Sequence, residues 1–147
     1  MTKILECVVD LEGTYLAGKS TTIIFSSIDL KYLLGILNSK LVSFYYKTVF
    51  GGNALQGGYL RIGPPQLSTI PIPIMDHSRS VDKSRHDKMV SLVDRMLELH
   101  KQLGGAKLAD EKRMLERQIE AVDGQIDRLV YELYELTEEE IGIVEGK

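Results

Sequence analysis

The chain has 147 residues, a net charge of −3 and 44% hydrophobic residues, enough apolar sequence for a packed core. No stretch approaches the roughly 20 apolar residues that cross a bilayer, so we expect no membrane partner. The single cysteine excludes an internal disulfide and indicates a reducing, cytoplasmic compartment.

The N-terminal part predicts two short strands before a helix. The runs ILECVV (4–9) and STTIIF (20–25) are rich in β-branched and apolar residues, which is typical of strands. Ser26 with Asp29 forms a variant of the capping box. Apolar residues at helical spacing then predict one buried helix over 29–48.

The next segment has many glycines and prolines, so it cannot be a long helix. Gly51 and Gly52 should end the preceding helix. Residues 59–62 could form another strand, which Pro64 and Pro65 would stop. The IPIPI run must be extended, because proline fixes φ and disfavours helix in the residue before it.

The C-terminal half has a different pattern. Residues 76–86 are polar and predict a linker, and apolar residues at steps of three and four then predict helices over 85–103 and 107–136. Gly104 and Gly105 between them favour an antiparallel, coiled-coil-like hairpin. We therefore predict an α+β fold: a domain of short strands and one buried helix, a linker, and a helical hairpin with an acidic tail. The domain would cover residues 1–75, the linker 76–86 and the hairpin with its tail 87–147.

The stretch GTYLAGKS (13–20) matches the pattern of a phosphate-binding loop. Such a loop needs a helix that starts at its GKS, with amides aimed at the phosphates. Here the β-branched run TTIIF follows, so a small nucleotide hydrolase is only a minor alternative. No catalytic constellation is evident elsewhere. The scattered His77, His86 and His100 predict no metal site, and we expect neither a catalytic residue nor a cofactor in this chain.

Charge is distributed unevenly along the chain. Residues 30–75 contain no Asp or Glu, whereas residues 76–147 carry more acids than bases. An acid-free segment does not repel a polyanion, lysines contact phosphates, and Asn, Gln and Arg can read base edges. Together with the lysine of the glycine loop, these residues form the candidate DNA-binding set: Lys19, Lys31, Lys40, Lys47, Asn53, Gln56, Tyr59 and Arg61.

The order of these pieces resembles a known family. The helix IDLKYLLGILNSKLVSFYYKTVF (28–50), a glycine-rich loop with Arg61 and the closing LSTIPIPI (67–74) resemble the TaqI-like C-terminal specificity domain of DNA methyltransferases and restriction-modification enzymes. The matching motifs are LNSKL (37–41) and Leu67–Pro73. The tail 126–146 is also similar to the end of such proteins, so the resemblance extends over about 20–146.

This resemblance implies recognition of duplex DNA without catalysis in this chain. The family's methyltransferase part lies N-terminal to this domain, and its cofactor loop and Asn-Pro-Pro-Tyr-type motif do not occur here. A fragment or a separate subunit is therefore expected. S-adenosylmethionine would bind in the associated methyltransferase part, and a methyltransferase or endonuclease domain or subunit would be the partner. A homodimer through 87–136 and an assembly module without DNA contact remain alternatives.

Overall fold

The computed structural model describes residues 4–19, 21–53 and 62–147, which contain helices and no strand. The helices are α1 Leu30–Leu37, α2 Lys40–Phe50, α3 Pro64–Leu67, α4 Ser80–Gly105, α5 Ala109–Leu133 and α6 Glu138–Glu145, with a 3-10 turn at Gly51–Asn53. The predicted α+β class is therefore wrong, because the described residues are all-helical. Residues 5–9 and 21–25 form no regular structure, since strand-type composition yields a strand only when a second strand pairs with it.

The helix predicted over 29–48 is two helices that meet at Asn38 and Ser39. Asp29 caps α1 and accepts hydrogen bonds from the backbone of Lys31 and Tyr32. Ser39 has an extended backbone and caps α2, with its hydroxyl accepting from Val42 N at 3.3 Å. The single-helix prediction is wrong because a serine side chain offers the backbone a cap that competes with a continuous helix.

The proline pair in the glycine-rich half also behaves differently from the prediction. Pro64 and Pro65 begin the short helix α3. A proline suits the first helical turn, where its missing N–H would have no partner within the helix. Most of the strand expected at 59–62 lies outside the described residues, and at Ile62 itself no regular structure is present.

Helices α4 and α5 pack along each other as an antiparallel hairpin joined by three residues. Helix α4 begins at Ser80, so much of the segment expected as a linker is helical. Helix α5 ends at Leu133, three residues earlier than expected, because Glu135 adopts a left-handed backbone (φ 55) and Leu136 N closes the helix onto Tyr131 O.

The first part of the chain packs onto this hairpin. Helix α1 contacts α4 and α5, and helix α2 contacts α5 and α6. Helices α1, α2, α4 and α5 all contribute buried side chains to the core. These include Tyr32, Leu33, Ile36 and Leu37 of α1, Val42 and Tyr46 of α2, Met89 and Val93 of α4, and Val122, Ile126, Leu129 and Val130 of α5. One core therefore extends across both halves of the chain.

None of the helices in the described part of the chain combines the length and the apolar character that a membrane crossing would require.

Candidate nucleic-acid interface

The LNSK turn between α1 and α2 uses each of its polar side chains for an internal contact. The Asn38 carboxamide accepts from Cys7 N at 2.7 Å and donates to Cys7 O at 2.9 Å. It thereby holds the N-terminal segment as a paired strand would. The Ser39 hydroxyl, which caps α2, also donates to Ile36 O at 2.7 Å. The polar part of the motif therefore joins three segments.

Lys40 joins α2 to α5 through Asp127. The Asp127 carboxylate accepts from Lys40 N at 2.8 Å, and its other oxygen lies 3.0 Å from Lys40 Nζ. The Asp127 side chain is 3% exposed, whereas that of Lys40 is 54% exposed. The hydrogen bond to Asp127 raises the pKa of Lys40 above its ordinary value. Lys40 is thus already engaged within the chain.

Lys31 is engaged in the same way, by the other helix of the hairpin. Its Nζ lies 2.6 Å from Asp94 Oδ1 on α4, and both side chains are partly exposed. The acid-free segment 30–75 therefore receives its counter-charges from the hairpin. A phosphate would have to compete with Asp94 and Asp127 for these two lysines.

Lys47 and Lys19 are placed differently. Both are exposed, and within the described residues neither side chain makes an ion pair or a hydrogen bond. Lys47 lies in the last turn of α2, immediately before the 3-10 turn Gly51–Asn53. It lies near the same face of α2 as Lys40 and about 10 Å further along the axis, given 100° and 1.5 Å per residue.

The remaining candidates fall where little is described. The backbone of Asn53 ends the 3-10 turn. Gln56, Tyr59 and Arg61 lie outside the described residues. The DNA-contacting role of all eight residues therefore stays a prediction.

The IPIP segment is held by tyrosine hydroxyls. Tyr32 of α1 donates to Pro73 O at 2.9 Å, and Tyr134, which follows α5, donates to Pro71 O at 2.5 Å. Burial raises the pKa of both tyrosines to about 12. Prolines have no N–H, so only their carbonyls can be bonded, and the two tyrosines use them. This segment therefore fastens the domain to the hairpin.

The stretch GTYLAGKS lacks the geometry of a phosphate-binding loop in its described residues. After Lys19, residues 21–29 contain no helix, and α1 begins only at Leu30. The amides of Tyr15 and Thr14 are bonded to the Asp10 carboxylate at 2.8 and 3.0 Å, and these bonds lower the pKa of Asp10. A carboxylate occupies amides that a phosphate would need.

The histidines do not form a metal site, and no group of metal-ligating side chains occurs in the part of the chain that the structure describes. His86 stacks on Tyr32 with ring centroids 5.3 Å apart, and His77 meets His86 edge-on at 4.7 Å. These rings pack the start of α4 against α1.

Two acids that sequence reasoning missed, Asp94 and Asp127, are central to this region. Each lies on a helix among many charged residues, where a solvated face is the usual explanation. One signal was available for Asp127, because it lies between the apolar positions Ile126 and Leu129 on the buried side of α5. No comparable signal marks Asp94.

The comparison with protein families agrees with these motifs. Residues 2–72 match the model of the TaqI-like C-terminal specificity domain. This segment is similar to the specificity domain of that family. The resemblance inferred from LNSKL and LSTIPIPI is confirmed for this part of the chain, and the match ends inside the IPIP segment. The similarity suggested for the tail 126–146 lies beyond the match and stays a prediction. Searches of curated proteins and of solved structures found no match.

Proposed function

We propose that this chain is the DNA-recognition part of a restriction-modification methyltransferase or endonuclease. It binds duplex DNA, and the chemistry is carried out by a separate catalytic domain or subunit. The observation that carries this proposal is the specificity-domain match over residues 2–72. The partner would hold S-adenosylmethionine if it is a methyltransferase.

The lysines without a carboxylate partner among the described residues support a DNA-contacting surface at the end of α2. Lys31 and Lys40 have carboxylate partners, whereas Lys47 has none among the described residues. Lys47 also lies in the last turn of α2, one turn before the segment 51–61, which carries Asn53, Gln56, Tyr59 and Arg61. We therefore assign phosphate contact to Lys47 and base recognition to this segment. Lys19 would add a further phosphate contact.

The test is binding to a pool of duplexes with randomised cores, followed by fluorescence anisotropy at increasing salt. Each lost phosphate contact should reduce the slope of log K against log salt by about 0.9. We expect Lys47→Ala to weaken binding and to reduce the slope by about this amount. Arg61→Ala should weaken binding to the preferred sequences selected from the pool more than to the rest.

Lys112→Ala is the matched control. It removes the same charge from an exposed position on α5, and within the described residues its side chain makes no ion pair. Its slope should equal that of the wild type. Absence of binding at low salt would contradict the proposal and would favour a helical assembly module. Equal effects of Lys47→Ala and Lys112→Ala would contradict the assignment of the surface.

A further inference from the structure

The segment before α1 has an unusually apolar surface. Its large hydrophobic side chains include Leu16, 100% exposed, Phe25, 90% exposed, and Val8, 85% exposed. The whole set, which we name the N-terminal apolar face, is Val8, Leu11, Tyr15, Leu16, Ile23, Ile24 and Phe25. Together these side chains expose on the order of several hundred Å² of apolar surface, at least as much as the roughly 300–600 Å² of the largest patch on a typical monomer.

The backbone of this segment is also available for pairing. Within the described residues, the N–H groups of Val8, Val9, Ile23 and Ile24 make no hydrogen bond. The two runs 5–9 and 21–25 have the β-branched composition of strands. Unpaired backbone in such runs is a template for pairing with another chain.

Both runs line one groove. It has a volume of about 1150 Å³, and Leu30, Leu33 and Leu37 of α1 also line it. The same surface therefore presents protruding apolar side chains and an apolar depression. Such self-complementarity is what a two-fold interface between identical chains requires.

We propose that a second copy of this chain covers the N-terminal apolar face. In this dimer, run 21–25 of each copy pairs antiparallel with run 5–9 of the other. The exposed area is comparable to the roughly 800 Å² per partner that a stable interface buries. This proposal does not rest on DNA binding, and of the predicted DNA-contacting residues only Lys19 has a part in it.

The charges of the segment suit this arrangement. Of its described acids, Glu6, Asp10 and Glu12 belong to the first run and the turn after it, and Asp29 caps α1; its described cation Lys19 precedes the second run. Antiparallel pairing of run 5–9 with run 21–25 places Lys19 of one copy beside Asp10 and Glu12 of the other. Each interface thus contains two equivalent contacts of opposite charge.

The test is sedimentation equilibrium of the full chain from micromolar to millimolar concentration. We expect a reversible dimer, and Val8→Asp or Phe25→Asp should raise its Kd by at least about tenfold, because each would bury a carboxylate in an apolar contact. Both side chains are so exposed that the monomer should keep its far-UV circular dichroism. Met114→Asp on α5, where Met114 is 55% exposed, is the control and should leave the Kd unchanged.

Hydrogen exchange supplies a second readout. Because Asn38 holds both N and O of Cys7, the N–H groups of Val8 and Ile24 are the ones that face the partner strand in this pairing. Their exchange should be slowed as concentration rises, and Phe25→Asp should abolish this slowing. A chain that stays monomeric throughout would overturn the proposal and leave the face for a different protein. A dimer broken by Met114→Asp but unaffected by Phe25→Asp would also overturn it, and would favour association through the hairpin.

Discussion

Asn38, Ser39 and Lys40 show how one short polar motif can organise three parts of a chain. Asn38 bonds the backbone of Cys7, Ser39 caps α2, and Lys40 bonds Asp127. In a sequence these residues suggest contact with a ligand, because polar residues between apolar ones are usually exposed. Ser39 is instead 1% exposed and Asp127 2% exposed. Their hydrogen bonds offset the cost of burying them.

Tyr134 offers a test of the bonds that hold the IPIP segment. Tyr134→Phe removes the donor to Pro71 O, and we expect a loss of about 1 kcal/mol in the free energy of unfolding. The pKa of Tyr134 is raised to about 12 from 10.0, so its contribution is fully present below pH 10 and is lost as pH rises through 12. Urea unfolding at increasing pH should therefore show a shallower decline above pH 10 in the variant than in the wild type.

Tyr15→Phe is the control for this experiment. Tyr15 is exposed, and its hydroxyl makes no hydrogen bond within the described residues. The free energy of unfolding of the Tyr15→Phe variant should therefore depend on pH as that of the wild type does. If Tyr134→Phe also kept the wild-type dependence, the hydrogen bond to Pro71 would not contribute to stability.

At the scale of elements, α1 and α4 approach each other at a glycine. A Cβ added at Gly35 would clash with Met89 Sδ and would lie 3.1 Å from Val93 Cγ2. Met89 is fully buried, so its side chain can shift only if the core residues around it repack. The periodicity of α1 gave no hint of this close contact, because it depends on a neighbour 54 positions away in the sequence.

Gly35→Ala should therefore destabilise the protein despite the better helix propensity of alanine. Overpacking costs about 1–3 kcal/mol and helix propensity returns about 1 kcal/mol, so we expect a net loss of up to about 2 kcal/mol. Gly124→Ala in α5 is the matched control, since a Cβ there meets nothing within 4 Å. It should stabilise by about 0.5–1 kcal/mol. Thermal unfolding by circular dichroism measures both, and a stabilising Gly35→Ala would contradict the close α1–α4 packing.

At the scale of the whole molecule, the acidic half neutralises the basic half. Asp94 and Asp127 of the hairpin meet Lys31 and Lys40 of the specificity domain. Together with the shared core, these pairs join the two parts, so we expect them to unfold together. In a pair with one buried partner, the two side chains differ in how much stability is lost when each is removed. Removing the exposed cation is the more costly change, because it leaves the buried carboxylate without its counter-charge.

Lys40→Met should for this reason cost more than Asp127→Asn. We expect about 2–3 kcal/mol for the first change and about 1 kcal/mol for the second, which keeps an acceptor for Lys40 N and releases Lys40 to water. Urea unfolding followed by circular dichroism and by tyrosine fluorescence should give coincident transitions for both variants. A larger loss for Asp127→Asn, or two separate transitions, would contradict this account.

The sequence by itself determined the local features of this protein. Periodic apolar residues predicted α4 and α5, and their ends were displaced only by a few residues. The motifs LNSKL and LSTIPIPI were sufficient to suggest the resemblance to the specificity domain that the family model matches over residues 2–72. These signals are local, because helix periodicity and motif spacing are written within a few turns of chain.

Only the tertiary structure decided which groups meet. Runs 4–9 and 20–25 have the composition of strands, but a strand also needs a partner, and none is present among the described residues. The acid-free stretch was expected not to repel a polyanion, yet α4 and α5 bring Asp94 and Asp127 to two of its lysines. Charge pairing and strand pairing join residues far apart in sequence, so only the packed chain determines them.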